Sequence, residues 1–139
     1  MGVKNGYLYY VIEEKKNSDD KYTYGFYRIP TSGKKVKPER MFGMKLETLA
    51  DVRINTNYMY ILGDRKGYRV SLSGKTFRPK KFYTLDDGNF GWSFRTLDSS
   101  QVEIVNSYMY IHGRFGSSYY RLKLSGAELR KSSRPYLWK

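Results

Sequence analysis

The chain has 139 residues, no cysteine, 15 tyrosines and a formal net charge of +13. That length suits one domain with a real core, and the absence of cysteine excludes a disulfide framework or a cysteine-built metal centre. No apolar run approaches the roughly 20 residues that a membrane-spanning helix needs, and the Tyr-rich residues 1–12 do not read as a secretory signal.

Aromatic residues make up 17% of the chain, which points to sheet. The positive charge speaks to solubility and to anionic partners, not to fold. In chain order, the first predicted strand is Tyr7-Leu8-Tyr9-Tyr10. A polar insertion, Glu13 to Tyr24, follows it and reads as a mobile loop. The return strand carries Tyr27-Arg28-Ile29 and runs into a Ser32-Gly33 turn; a third strand is expected around Val36 and Lys37. Met41 to Asp51 has room for a single helical turn.

The next unit opens with Val52 and Ile54, turns at Asn55-Thr56-Asn57, and continues as Tyr58-Met59-Tyr60-Ile61-Leu62. Gly63-Asp64 turns the chain into Gly67-Tyr68-Arg69-Val70-Ser71-Leu72, Ser73-Gly74 turns it again, and a third strand is expected at Phe77-Arg78. Thr84 to Ser100 reads as a linker holding an outer strand, Trp92-Ser93-Phe94-Arg95. The last unit repeats the second: Val102 and Ile104, Asn106-Ser107, Tyr108-Met109-Tyr110-Ile111, a turn at Gly113, Tyr119 to Leu124, Ser125-Gly126, then Leu129-Arg130. Short β-branched and aromatic runs, broken by Asn, Ser and Gly, are strand chemistry.

The first Tyr of each unit falls at 7, 58 and 108, a period of about 50 residues that marks a repeat architecture. The expected organisation is one domain over 1–139, with repeats 1–51, 52–101 and 102–139. Alternation sorts Tyr58 and Tyr60 onto one face and Met59 and Ile61 onto the other, and Tyr108, Tyr110, Met109 and Ile111 likewise. Both faces are apolar or aromatic, so these strands are expected to be buried on both sides. Radially stacked sheets do this.

The order Tyr-x-Tyr-Tyr, turn, Tyr-Arg-Ile/Val/Leu, Ser-Gly resembles the blade repeat of bacterial β-propeller domains similar to the low-density-lipoprotein-receptor propellers with YWTD blades. Asn5-Gly6-Tyr7-Leu8-Tyr9-Tyr10 stands at the hallmark strand, and Tyr68 to Gly74 at the hairpin. The resemblance covers all three units. It implies an all-β fold of three antiparallel blade-like repeats, a partial or half propeller, with binding or scaffold use and an extracellular or cell-surface setting. The family's Asp before Gly is Ser here, at Ser32, Ser73 and Ser125, and the acidic residue that ends the hallmark strand is also missing. Calcium binding tied to those positions therefore does not carry over.

Propellers typically have four to eight blades, so three leave two unmatched faces. Two chains can complete a six-bladed ring about a two-fold axis, or the chain docks into a larger protein. A β-trefoil, also built from three units of this size, is the alternative fold.

Basic residues recur after each Ser-Gly: Lys34, Lys35, Lys37 and Arg40; Lys75, Arg78, Lys80 and Lys81; Arg130, Lys131 and Arg134. They read first as solvated charges that keep outer strands from pairing wrongly, and second as an arc for a polyanion such as nucleic acid or an anionic glycopolymer. The pairs Tyr27-Arg28, Tyr68-Arg69 and Tyr120-Arg121 read first as structural, each Arg packed on an aromatic of the neighbouring unit, and second as a stacking site for a ligand. His112 is the one histidine and has no nucleophile-elbow motif beside it. Asp86-Asp87-Gly88-Asn89 reads as a turn, and Asp19-Asp20 has no partner nearby in sequence. The expected function is therefore non-catalytic, without cofactor: self-association or docking through blade faces, with polyanion binding as the alternative.

Overall fold

A computed structural model of the chain describes residues 3–33, 36–47, 49–55, 57–63, 66–84, 102–112, 119–125 and 129–132. Among them the fold is all-β, in three four-stranded antiparallel sheets built from strands consecutive in sequence. Sheet 1 holds β1 (Val3–Lys4), β2 (Tyr7–Lys16), β3 (Tyr22–Pro30) and β4 (Glu39–Leu46). Sheet 2 holds β5 (Leu49–Ile54), β6 (Tyr58–Gly63), β7 (Lys66–Ser71) and β8 (Lys80–Thr84). Sheet 3 holds β9 (Val102–Val105), β10 (Tyr108–His112), β11 (Tyr119–Lys123) and β12 (Leu129–Ser132). Among the described residues each sheet keeps two edge strands, and no strand joins one sheet to another.

The turns follow local chemistry. Asn5 and Gly6 both take positive φ, 52° and 79°, in a two-residue loop between the partners Lys4 and Tyr7. Asn-Gly is the preferred pair for such hairpins, because its backbone twist matches that of the strands. Gly33 and Gly74, with φ of 115° and 87°, supply the left-handed residue of the Ser-Gly turns. The two turns of each unit touch. Thr31, Leu72 and Leu124 donate their N–H to the carbonyls of Gly6, Asn57 and Ser107 at 2.9, 2.8 and 2.9 Å. One end of each sheet therefore carries both turns.

Three expectations fail. The insertion Glu13 to Tyr24 is not a loop: β2 and β3 simply run longer, with Glu13 paired to Tyr24 and Lys16 to Tyr22. Cross-strand hydrogen bonds override its polar composition. Met41 to Asp51 holds no helical turn, because its residues pair in β4 and β5. The third strands of the first two units begin at Glu39 and Lys80, three residues beyond Val36 and Phe77, whereas Leu129 does open β12. Trp92 to Arg95, Asp86 to Asn89, Gly113 and Gly126 lie outside the described residues.

Sheets 1 and 2 pack face to face. Tyr9, Phe26 and Phe42 of sheet 1 meet Met59, Ile61 and Val70 of sheet 2, with Leu72 and Phe77 closing the cluster. The Phe26 and Phe42 rings stack with centroids 4.7 Å apart. The other face of sheet 2, bearing Tyr58, Tyr60 and Arg69, turns to sheet 3. There Arg69 Nη1 donates to the Leu124 carbonyl at 2.6 Å, and Met109, Ile111 and Leu122 are buried. Burial on both faces holds fully for β6, where Met59, Tyr60, Ile61 and Leu62 are all closed to solvent.

Candidate functional site

One arrangement recurs in all three sheets. Two Tyr on one face of the second strand pack tilted, with ring centroids 6.2, 6.2 and 6.3 Å apart for Tyr7–Tyr9, Tyr58–Tyr60 and Tyr108–Tyr110. The Arg of the third strand lies directly across from the second Tyr: Arg28 opposite Tyr9, Arg69 opposite Tyr60, Arg121 opposite Tyr110. Its guanidinium covers the first Tyr, at 4.2 Å from Tyr7, 4.8 Å from Tyr58 and 4.8 Å from Tyr108. A cation over a π face is worth about 0.5–2 kcal/mol, more where water is excluded. The expected partner was an aromatic of the next unit. The common partner is a Tyr of the same sheet, and Arg28 also reaches the next sheet's Phe77, at 4.9 Å.

The outward face of sheet 1 differs from its equivalents. Leu8, Tyr10 and Ile29 occupy the positions of Met59, Ile61 and Val70. Met59 and Met109 are 0% exposed, yet Leu8 is 39% exposed and nearby Ile12 is 45% exposed. Tyr10 and Tyr27 stack flat on this face at 5.4 Å and 9°.

Beside that patch lies a charged cluster that the sequence did not announce. Glu14 is the extra residue of a bulge, since Glu13 pairs with Tyr24 and Lys15 with Thr23. Its carboxylate accepts from Arg40 Nη2 at 2.8 Å and Nε at 3.2 Å, and from the Tyr27 hydroxyl. The Arg40 hydrogen bonds first, and Tyr27 second, hold the Glu14 carboxyl at about 2. The cluster lies over Gly25 and Gly43, which pair across β3 and β4. A Cβ on Gly25 would run into Glu14 and Tyr27, and one on Gly43 into Arg40.

The basic candidates are spread along the turn end. Lys37, Lys75, Arg78, Lys80 and Lys81 are exposed. Arg40 is held in the Glu14 ion pair. Arg130 and Lys131 occupy β12; Lys34, Lys35 and Arg134 lie outside the described residues. Asp19 does find a partner, Lys45 Nζ at 2.7 Å, which lowers its carboxyl below the ordinary value. His112 ends β10, paired with Tyr119. Among the described residues no three acidic, His or Cys side chains stand close enough to hold a metal, and no helix is long and apolar enough to cross a membrane.

Comparison with protein-family models, with curated proteins and with solved structures finds no match to this chain.

Proposed function

We propose that the chain is a non-catalytic assembly module of blade-like sheets, whose outward sheet 1 face is covered by the Tyr108-Tyr110-Arg121 face of a second copy. The carrying observation is Leu8, exposed where Met59 and Met109 are buried. In the stack, the Tyr-Tyr-Arg face of sheet 1 meets the Met59 face of sheet 2, and that of sheet 2 turns to sheet 3. Continuing the rule brings the Tyr108 face of one copy onto the Leu8 face of another. Two copies related by a two-fold axis make both junctions at once, a six-sheet ring of the kind the YWTD-type resemblance implies. Three separate open sheets also speak against a trefoil, whose strands share one barrel.

The test is mass in solution at micromolar concentration. A species of twice 16.4 kDa is expected, with Leu8→Glu returning it to monomer. A wild-type monomer, or a dimer unmoved by Leu8→Glu, overturns the reading.

The exposure of Lys37, Lys75, Arg78, Lys80 and Lys81 favours a second reading, capture of a polyanion. Retention on heparin should fall steeply with salt. Charge reversal at Lys37, Arg78 and Arg130 should weaken it further; retention indifferent to both would mark these residues as solvated surface.

A further inference from the structure

At the turn end, sheets 2 and 3 part to form a cleft of about 570 Å³. Tyr58 and Arg69 line it from sheet 2, Asn57 and Asn106 from the first turns, and Lys123 and Ser125 from the end of β11. The walls are preset. The Asn55 side-chain oxygen accepts from the N–H of Asn57 at 3.2 Å and of Tyr58 at 3.0 Å, while its Nδ2 donates to the Tyr60 hydroxyl at 3.2 Å. Arg69 is pinned between the Tyr58 ring and the Leu124 carbonyl.

The second observation concerns charge across β7 and β8. In sheet 1, Arg28 faces Glu39 and pairs with it at 2.7 Å. In sheet 2, Arg69 faces Lys80; in sheet 3, Arg121 faces Arg130. Like charges directly opposite in a sheet are destabilising. Among the described residues no carboxylate lines the cleft or pairs with Arg69. Sheet 2 thus keeps the Arg but sets a cation where sheet 1 has the carboxylate of Glu39.

We propose that this cleft binds an acidic sugar, one or two residues long, whose carboxylate or sulfate meets Arg69. Arg offers a fork of donors suited to a planar or branched anion. Asn57, Asn106 and Ser125 present amide and hydroxyl groups, which serve vicinal sugar hydroxyls as donors and acceptors alike. The volume lies within the usual range for small-ligand sites. A nucleic-acid base would need an aromatic face to stack on, and the rings of Tyr58 and Tyr108 already carry Arg69 and Arg121. The inference is independent of the assembly reading.

The experiment is calorimetric titration of the full chain. The ligands are an unsulfated glucuronate-containing chondroitin disaccharide, its sulfated form, cellobiose, sodium sulfate and a ten-residue oligothymidylate. At least one acidic disaccharide should bind ten times more tightly than cellobiose or sodium sulfate, and the two disaccharides tell carboxylate from sulfate recognition. Arg69→Gln should weaken binding about tenfold. Lys80→Glu gives Arg69 the internal carboxylate that Arg28 has, so it should weaken binding while raising Tm, and it serves if Arg69→Gln does not fold. Equal binding of cellobiose or sulfate, tighter binding of the oligothymidylate, no binding at all, or full affinity in Arg69→Gln or in Lys80→Glu overturns the proposal.

Discussion

Glu14 shows how a single bulged residue acquires a distinct chemistry. Its carboxyl is lowered from an ordinary 4.5 to about 2 by Arg40 and Tyr27. A depressed folded value means that the contribution is fully present above about 4.5 and is lost as pH falls toward 2. A carboxyl NMR titration should place the Glu14 midpoint near 2, and Glu14→Gln should flatten the acid limb of the stability curve in that window. A midpoint at 4.5 would show that the ion pair does not persist in solution. The Arg residues of the three Tyr-Tyr-Arg sets differ in the same concrete way. Arg28 has Glu39 at 2.7 Å, whereas Arg69 is held by a backbone carbonyl, so one side chain does similar packing in unlike electrostatic settings.

At the scale of strands, equivalence in sequence does not bring equivalence in burial. Met59→Ala removes a fully buried side chain and should cost about 2–5 kcal/mol by urea unfolding. Leu8→Ala, at the matching place on β2, should cost under about 1 kcal/mol when the chain is dilute enough to be monomeric. A similar cost for both would mean that the face of sheet 1 is already covered. Gly25→Val should displace Glu14 from Arg40, since the added carbon falls where Glu14 and Tyr27 lie; an unchanged Glu14 titration in that variant would refute the packing. Strands β6 and β10 were legible because Tyr alternates with Met and Ile between Asn and Gly breaks. The far halves of β2 and β3 were not. Glu13 to Asp20 is polar throughout, and a hairpin wet on both sides leaves no alternation to read. Met41 to Asp51 misled because Met, Leu and Glu favour helix locally, while pairing with β3 and β6 decides the outcome. The Arg and Tyr of each set could be read from the repeat. The cleft could not, because it depends on which residue stands across from the Arg, and that register appears only once the strands are paired.

For the molecule as a whole, three sheets stack in chain order, with the basic turns at one end and the exposed Leu8 face on one side. The middle sheet has both faces of β6 closed, while β2 shows solvent a row that includes Leu8 and Ile12. In the proposed assembly, the next sheet is added to this stack by the same face-to-face rule.

Because every sheet is a meander of consecutive strands, almost all hydrogen-bonded pairing joins near neighbours along the chain. Loop closure is then cheap within a sheet and costly only between sheets. Folding should therefore proceed as three local events followed by docking, and unfolding should peel from an end sheet rather than open the middle. In hydrogen exchange, the amides of β6 and β7 should outlast those of the far half of β2, Glu13 to Lys16, by orders of magnitude. One common rate across all of them would instead describe a single cooperative block.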